Sequence, residues 1–110
     1  MLSGYSGFEK CGTIERTHAE DMPWFKFHTP QTITNQFDEQ VVVDYFAIST
    51  VCTENYDNPV IPYIWETMVF PCDENGEIPD GDFSGIYEEL GDAKSNEIDI
   101  LSNFISTIKE

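Results

Sequence analysis

Residues 40–51 read QVVVDYFAISTV, and this stretch decides the fold. Its β-branched and aromatic side chains favour an extended strand. Both faces of that strand are largely apolar, which is typical of a strand inside a sheet and not at its edge. The sequence therefore predicts a central strand. Alternation assigns Val42, Asp44, Phe46, Ile48 and Thr50 to one face, and Val41, Val43, Tyr45, Ala47 and Ser49 to the other.

Further strands are predicted on both sides of this one. Residues 60–70, VIPYIWETMVF, form a second strong strand signal, and the turn sequence Asp73-Glu74-Asn75-Gly76 follows it. Asn-Gly favours a hairpin because both residues tolerate positive φ. We therefore expect a return strand that starts at Glu77-Ile78. Residues 11–17 and 24–28 show weaker strand signals, and residues 84–90 favour a short helical turn.

The C-terminal segment predicts a helix. Apolar residues recur there at helical spacing: Ile98, Leu101, Phe104, Ile105 and Ile108. Either Ser95 or Asn96 suits the N-cap position. The predicted fold is α+β, a small antiparallel sheet with a C-terminal helix packed on one face, in a single compact domain over residues 1–110. The expected core consists of Val43, Tyr45, Phe46, Ile48, Trp65, Val69, Leu101, Phe104 and Ile105.

The charge balance is unusual. The chain has 21 acidic and 5 basic residues, for a formal net charge of -16. Solubility alone asks for a net charge of roughly 2 to 8 in a small domain, and a larger charge destabilises the compact state by self-repulsion. Residues 27–93 contain fourteen acids and no Lys or Arg. The strongest strand signals lie in the same span, so these acids belong to a folded sheet.

Catalytic and metal-binding patterns are weak. The chain has no P-loop, GxSxG or GxGxxG motif. Cys11, His18, His28 and Cys72 lack zinc-site spacing, and the segment DENGEIPD lacks the Gly that a calcium loop needs at its sixth position. Three cysteines without a CxxC pair, the third being Cys52, predict free thiols. We expect no enzyme activity, no cofactor and no metal. A small metal-binding or enzymatic domain stays as a third possibility.

Membrane and secretion signals are not evident. The N-terminus MLSGYSGFEK lacks a basic and then apolar run, and no stretch approaches the ~20 apolar residues of a membrane span. Anionic lipid and nucleic acid would both repel a chain of this charge. We therefore expect a cytoplasmic protein that binds neither membranes nor nucleic acid directly.

Two resemblances bear on function. Residues 65–71, WETMVFP, followed by acids and Gly76, resemble a strand-and-turn segment of small phage and prophage proteins. The small size, strong acidity and α+β character are similar to those of phage anti-CRISPR proteins and other DNA mimics. This is a resemblance of type, and it carries over no functional residue. It implies an inhibitor that acts in the cytoplasm of a bacterial host cell on a nucleic-acid-binding defence complex, with CRISPR effectors as the first candidates.

The acids themselves support a binding function. Carboxylates on a rigid sheet attract an Arg- and Lys-lined surface by the same electrostatics that bind DNA. An acidic phage structural or assembly protein without inhibitory role is the alternative, and the apolar helix offers a possible homodimer interface. The residues predicted to contact a partner are Glu54, Asp57, Asp73, Glu74, Glu77, Asp80, Asp82, Glu88 and Glu89.

Overall fold

The computed structural model describes residues 7–15, 21–54, 60, 62–78, 85–91 and 93–108. Within these residues five strands form one antiparallel sheet in the order β1-β2-β3-β4-β5, and one helix follows. The predicted α+β class is therefore confirmed. The elements are β1 (Phe8–Ile14), β2 (Met22–Thr34), β3 (Gln40–Glu54), β4 (Tyr63–Cys72), β5 (Tyr87–Gly91) and α1 (Glu97–Ile108).

β3 is the central strand, as its two apolar faces predict. It pairs with β2 on one side, where Phe46 lies opposite Phe25, and with β4 on the other, where Ile48 lies opposite Val69. The rings of Phe25 and Phe46 stack with their centroids 5.2 Å apart. These four side chains are buried in the main core.

The side-chain alternation of β3 reverses near Asp44. Val43 and Phe46 both belong to the main core, although strict alternation puts them on opposite faces. The register between β2 and β3 shifts between Lys26 and Gln31, where extra β2 residues lie opposite Asp44. This irregularity turns the outer part of the β2–β3 hairpin. The predicted face assignment is therefore wrong for residues 41–44 and right for residues 46, 48 and 50.

Helix α1 covers one face of the sheet, as predicted. Asn96 is the N-cap, because its Oδ1 accepts a hydrogen bond of 2.8 Å from the Asp99 N–H. The Phe104 ring lies 5.1 Å from that of Phe46 and 6.4 Å from that of Phe27. The buried helix side chains are Ile100, Leu101, Phe104 and Ile105. The apolar side of α1 thus packs on the sheet of its own chain. Among the described residues no helix is long and apolar enough to cross a bilayer.

The opposite face of the sheet holds a smaller apolar cluster. Trp24 lies opposite Ala47, and its ring is 6.0 Å from that of Tyr45. Phe70 pairs with Ala47 from the other side and is buried. Gly76, in the connection that follows β4, lies against the Trp24 ring and is buried too. This connection therefore covers part of the face that α1 leaves open.

Most of the expected core is buried, with two exceptions. Tyr45 is half-buried on the face away from the helix. Trp65 is also half-buried, and the Lys94 Nζ lies 6.0 Å from its ring centroid. Both aromatic side chains therefore lie outside the main core. The seven expected residues that are buried are Val43, Phe46, Ile48, Val69, Leu101, Phe104 and Ile105.

The strand that pairs with the outer edge of β4 comes later than predicted. Glu77-Ile78 is not a strand, so the expected return strand is wrong. The helical turn predicted over residues 84–90 is also wrong, since residues 87–90 belong to β5. Tyr87 pairs with Val69, and the Ile86 N–H donates to the Val69 carbonyl at 2.8 Å. An exposed strand edge needs hydrogen-bond partners, and β5 supplies them to β4.

Candidate functional site

The acids predicted to form a contact surface differ in their positions. Three lie outside the described residues: Asp57, Asp80 and Asp82. Five are exposed, as predicted: Glu54, Asp73, Glu74, Glu77 and Glu88. Glu89 is half-buried, so its predicted exposure is wrong. Glu54 ends β3 opposite Tyr63, whereas Cys72 ends β4 opposite Tyr45. Glu54 and the acids after β4 therefore lie at opposite ends of the sheet.

Residues 73–77 form a hydrogen-bonded turn, which we call the second turn. The Asp73 Oδ1 accepts hydrogen bonds from the N–H groups of Asn75 at 2.8 Å and Glu77 at 2.9 Å. The Asp73 N–H donates to the Glu77 carbonyl at 2.9 Å, and the Gly76 N–H donates to the Asp73 carbonyl at 3.0 Å. Only Gly76 in this turn has positive φ, at 81°. It is a type I turn with a left-handed fourth residue, not the two-residue Asn-Gly turn that was predicted.

Residues 35–39, between β2 and β3, repeat the same scheme, and we call them the first turn. The Asn35 Oδ1 accepts from the N–H groups of Phe37 at 2.9 Å and Glu39 at 3.0 Å. The Asn35 N–H donates to the Glu39 carbonyl, and the Asp38 N–H donates to the Asn35 carbonyl. Asp38 takes the left-handed position, with φ 67°. The two turns thus share one hydrogen-bonded backbone.

Both turns follow strands that run in the same direction, although the second turn packs on Trp24 and Ile14 whereas the first turn contacts Gly85. β2 and β4 run in the same direction in this antiparallel order, and each turn follows one of them. The Gln36 N–H donates to the Gly85 carbonyl at 2.9 Å, which ties the first turn to the residues before β5. We define the acidic end as the exposed acids of the two turns: Asp38, Glu39, Asp73, Glu74 and Glu77. The sequence prediction did not select the two acids of the first turn, although Asn35 and Asp38 fit the first and fourth positions of a type I turn.

The described basic side chains contact other parts of the molecule. Lys10 on β1 forms an ion pair of 3.1 Å with Glu97 on α1. The Lys26 Nζ lies 5.9 Å from the Tyr45 ring centroid. Lys94 is next to Trp65, as described above. In the described ranges no Lys, Arg or His lies within 4.0 Å of a carboxylate of the acidic end. The charge of this end is therefore not neutralised by an ion pair with those residues.

Glu89 has a structural role. Its carboxylate accepts hydrogen bonds from the Tyr87 hydroxyl at 2.7 Å, the Ser95 hydroxyl at 3.2 Å and the Asn103 amide at 3.1 Å. These bonds join β5, the segment before α1 and α1 itself. Burial raises the pKa of Tyr87, and the hydrogen bond to Glu89 and the charge of that carboxylate raise it further. Glu89 therefore serves the helix–sheet contact and does not belong to the acidic end.

Glu88 lies near the first turn and beside a second carboxylate. A cleft of about 210 Å³ separates the first turn from β5, and its lining includes Asn35, Gln36, Met68 and Glu88. Glu66 on β4 is a diagonal neighbour of Glu88, because Met68 pairs with Glu88. Burial raises the pKa of Glu66, and the hydrogen bond and repulsion from Glu88 raise it further. The sequence prediction did not select Glu66, since only the strand pairing places it there.

The cysteine thiols and the potential metal ligands among the described residues form neither a reactive thiol site nor a metal site. Burial raises the pKa of the Cys72 thiol to about 12, so this thiol is protonated at neutral pH. Burial also raises the pKa of Cys11. All three cysteines are free thiols. The described residues contain no group of three His, Cys, Asp or Glu side chains placed to hold a metal ion. A groove of about 430 Å³ beside the start of α1 has Ile48 and Ile100 in its lining.

Comparisons of the chain with protein-family models, with curated proteins and with solved structures found no match. The functional argument therefore depends on the residues and geometry described above.

Proposed function

We propose that the protein is a phage-type inhibitor that binds the basic, nucleic-acid-binding surface of a bacterial defence complex by DNA mimicry. A CRISPR effector is the first candidate partner. The observation that carries this proposal is the acidic end, where five exposed carboxylates stand on two hydrogen-bonded turns. Charges without ion-pair partners among the described residues attract a cationic surface more strongly than paired charges do.

The spacing of these acids supports mimicry of a phosphate backbone. Duplex DNA carries one charge per ~3.4 Å along each strand. Asp38 and Glu39 are adjacent in the chain, as are Asp73 and Glu74. Neighbouring Cα atoms are about 3.8 Å apart, so each pair of acids has a linear charge density comparable to that of one DNA strand measured along the helix axis. The turns hold these backbones in place, so little further ordering is required when a partner binds.

A competition experiment tests this function. Labelled target duplex is bound to a guide-loaded CRISPR effector nuclease, the protein is added, and the displaced duplex is measured at about 0.05 M and about 0.5 M salt. We expect displacement that weakens steeply as salt rises, because screening shortens the range of the attraction between acids and bases. An assembly protein with an apolar interface would show no displacement at either salt.

Grouped substitutions locate the contact. Glu74→Gln with Glu77→Gln removes two charges from the acidic end and leaves the structural acceptor Asp73 intact. The control, Glu54→Gln with Asp99→Asn, removes two exposed charges that lie away from both turns, at the end of β3 and on α1. We expect slower association for the first variant and a smaller change for the control. Equal effects of the two variants would show that overall charge matters and that the acidic end does not. Displacement by neither variant nor parent would favour the assembly role.

A further inference from the structure

Phe37 is an exposed aromatic side chain at the tip of the β2–β3 hairpin. Its relative exposure is 64%, and that of Val42 on the same hairpin is 73%. The strand pair next to the turn is Gln40 with Thr34. Val42 pairs with Thr32, two residue pairs further from the turn. The hairpin thus presents two large apolar side chains to solvent.

The backbone that carries Phe37 is held rigidly. Its own N–H donates to Asn35 Oδ1, and the Asn35 amide donates to the Glu39 carboxylate at 3.2 Å. The preceding residue, Gln36, donates its N–H to the Gly85 carbonyl. Five hydrogen bonds between residues of this turn therefore involve Asn35, which is buried. A side chain on such a turn binds with a small entropy cost, because its backbone is already ordered.

The turn itself does not require an aromatic residue at this position. The second turn has the same hydrogen bonds and places Asn75 where the first turn places Phe37. Only the backbone N–H of that residue takes part in the turn. A phenyl ring at an exposed turn position adds apolar surface that water disfavours. Its presence therefore calls for a reason outside the hydrogen bonding of the turn.

A single exposed apolar residue is ordinary on a protein surface. Phe37 differs because acids surround it in the sequence and on the hairpin: Asp38, Glu39 and Asp44 are all exposed. An aromatic anchor within a charged rim is the usual composition of an interface hot spot. A basic protein surface complements the acids, whereas nucleic acid and a second copy of this chain would repel them.

We propose that Phe37 is an anchor that inserts into an apolar pocket on the partner, with Asp38 and Glu39 meeting Lys or Arg side chains at the rim of that pocket. This inference rests on the proposed function and adds an apolar, salt-insensitive component to it. The partner is accordingly a nucleic-acid-binding protein whose basic surface contains a pocket large enough for a phenyl ring. Val42 extends the apolar contact along the hairpin.

The test uses the displacement assay with a guide-loaded CRISPR effector nuclease as the probe. Phe37→Asn copies the residue of the second turn, so the turn keeps its backbone hydrogen bonds. The control is Tyr63→Asn, an aromatic of 58% exposure that begins β4 at the opposite end of the sheet. We expect Phe37→Asn to raise the concentration needed for half displacement by roughly tenfold or more, as for an aromatic hot spot. The ratio to the parent should be the same at low and high salt, because an apolar contact is not screened.

The outcomes separate the two proposals. Displacement by the parent together with unchanged displacement by Phe37→Asn would overturn the anchor and leave the proposed function in place. A loss for Tyr63→Asn as large as that for Phe37→Asn would also overturn it. Absence of displacement by the parent at both salts would overturn the proposed function and the anchor together. Circular dichroism melts of both variants check that each remains folded, and Phe37→Ala replaces Phe37→Asn if the latter melts early.

Discussion

The first turn (residues 35–39) and the second turn (residues 73–77) share the same hydrogen bonds and differ in their surroundings. In the first turn the left-handed residue is Asp38, which is exposed. In the second turn it is Gly76, which is buried against Trp24 and Ile14. The comparison shows that the residue in the first position sets this backbone. The left-handed position then packs against the sheet in the second turn and is exposed to solvent in the first turn.

The acceptor at the first position also has a different environment in each turn. Asn35 is buried, whereas Asp73 is exposed. Both side chains accept two backbone N–H groups through Oδ1. Water can replace a lost acceptor at Asp73 more easily than at Asn35. The same substitution in each turn therefore measures how much burial adds to the value of these hydrogen bonds.

The largest effect is expected for Gly76→Ala. A Cβ at this position would lie 2.7 Å from Trp24 Cγ, 2.8 Å from Trp24 Cδ1 and 2.9 Å from Ile14 Cδ1. The Trp24 atoms are near the base of its side chain, so the ring must shift as a whole. Overpacking and a left-handed alanine together should lower the free energy of unfolding by about 2–4 kcal/mol. Urea denaturation measures this difference.

The matched control is Asp38→Ala at the same position of the first turn. Asp38 is exposed, so its replacement creates no packing conflict. Alanine tolerates a left-handed backbone less well than Asp does, and this difference should lower the free energy of unfolding by about 1 kcal/mol or less. If Gly76→Ala and Asp38→Ala lower stability equally, the packing of the second turn on Trp24 does not contribute, and the contrast between the turns is wrong.

The next largest loss of stability is expected when the side-chain acceptor at the first position of a turn is removed. Asn35→Ala leaves two backbone N–H groups without their partner in a buried position, at a cost of about 1–3 kcal/mol. Asp73→Ala removes the same two bonds where water can enter, so about 0.5–1.5 kcal/mol is expected. Asp73→Asn keeps an Oδ1 acceptor and should stay close to the parent, whereas Asn35→Asp replaces the buried amide that donates to the Glu39 carboxylate with a second carboxylate and should be destabilised. Thermal melts with hydrogen exchange at Phe37, Glu39, Asn75 and Glu77 measure both stability and the local opening. A larger loss for Asp73→Ala than for Asn35→Ala would contradict the role of burial.

Much of the fold could be predicted from the sequence because β3 carries its own signal. A strand with apolar side chains on both faces has both faces covered, which is typical of a strand inside a sheet and favours a central position for residues 40–51. The helix was predictable from its apolar spacing. β5 was not, because Tyr87-Glu88-Glu89-Leu90 contains good helix formers and becomes a strand only through its pairing with β4. Val43 was assigned to the wrong face because the register shift that reverses β3 depends on the extra β2 residues between Lys26 and Gln31.

The candidate site was predictable only in part. The net charge and the base-free span identify the acids, but they do not distinguish a structural acid from a contact acid. Glu89 resembles Glu88 in the sequence, yet three hydrogen bonds from three segments tie Glu89 to the helix contact. The exposure of Phe37 depends on how far the β2–β3 hairpin projects, which the sequence alone does not state. These features follow from tertiary placement and not from residue type.

A smaller effect is expected for Glu66, whose neighbour Glu88 lines the cleft beside the first turn. The pKa of Glu66 is raised above its ordinary value of 4.5 by burial first and then by Glu88. Between the ordinary and the raised pKa the folded chain holds more protons than the unfolded chain, so stability falls as the pH rises through this window. Glu66→Gln should therefore be more stable than the parent at neutral pH, and the gain should shrink as the pH falls towards 4.5. Urea denaturation at several pH values measures the gain.

Glu74→Gln is the reference for that experiment. It removes one exposed carboxylate of the second turn, so it controls for the general relief of self-repulsion. The excess gain of Glu66→Gln over Glu74→Gln measures the local destabilisation of the Glu66 carboxylate by burial and by Glu88. An excess that stays constant with pH would show that packing, and not ionisation, distinguishes the two positions.

The smallest effect is expected for Asp38→Gly, which gives the first turn the left-handed residue of the second. Glycine removes the strain of a non-glycine residue at φ 67°. It also increases the freedom of the unfolded chain, which costs a similar amount, roughly 0.5–1 kcal/mol. Because Asp tolerates this backbone better than most residues, the two terms should nearly cancel, and the free energy of unfolding should change by less than about 0.5 kcal/mol. Urea denaturation of Asp38→Gly beside Asp38→Asn, which removes the same charge and keeps a side chain, separates backbone from charge. A stabilisation well above 1 kcal/mol would mean that the first turn is strained by Asp38, and a residue kept at that cost would itself point to a function for its carboxylate.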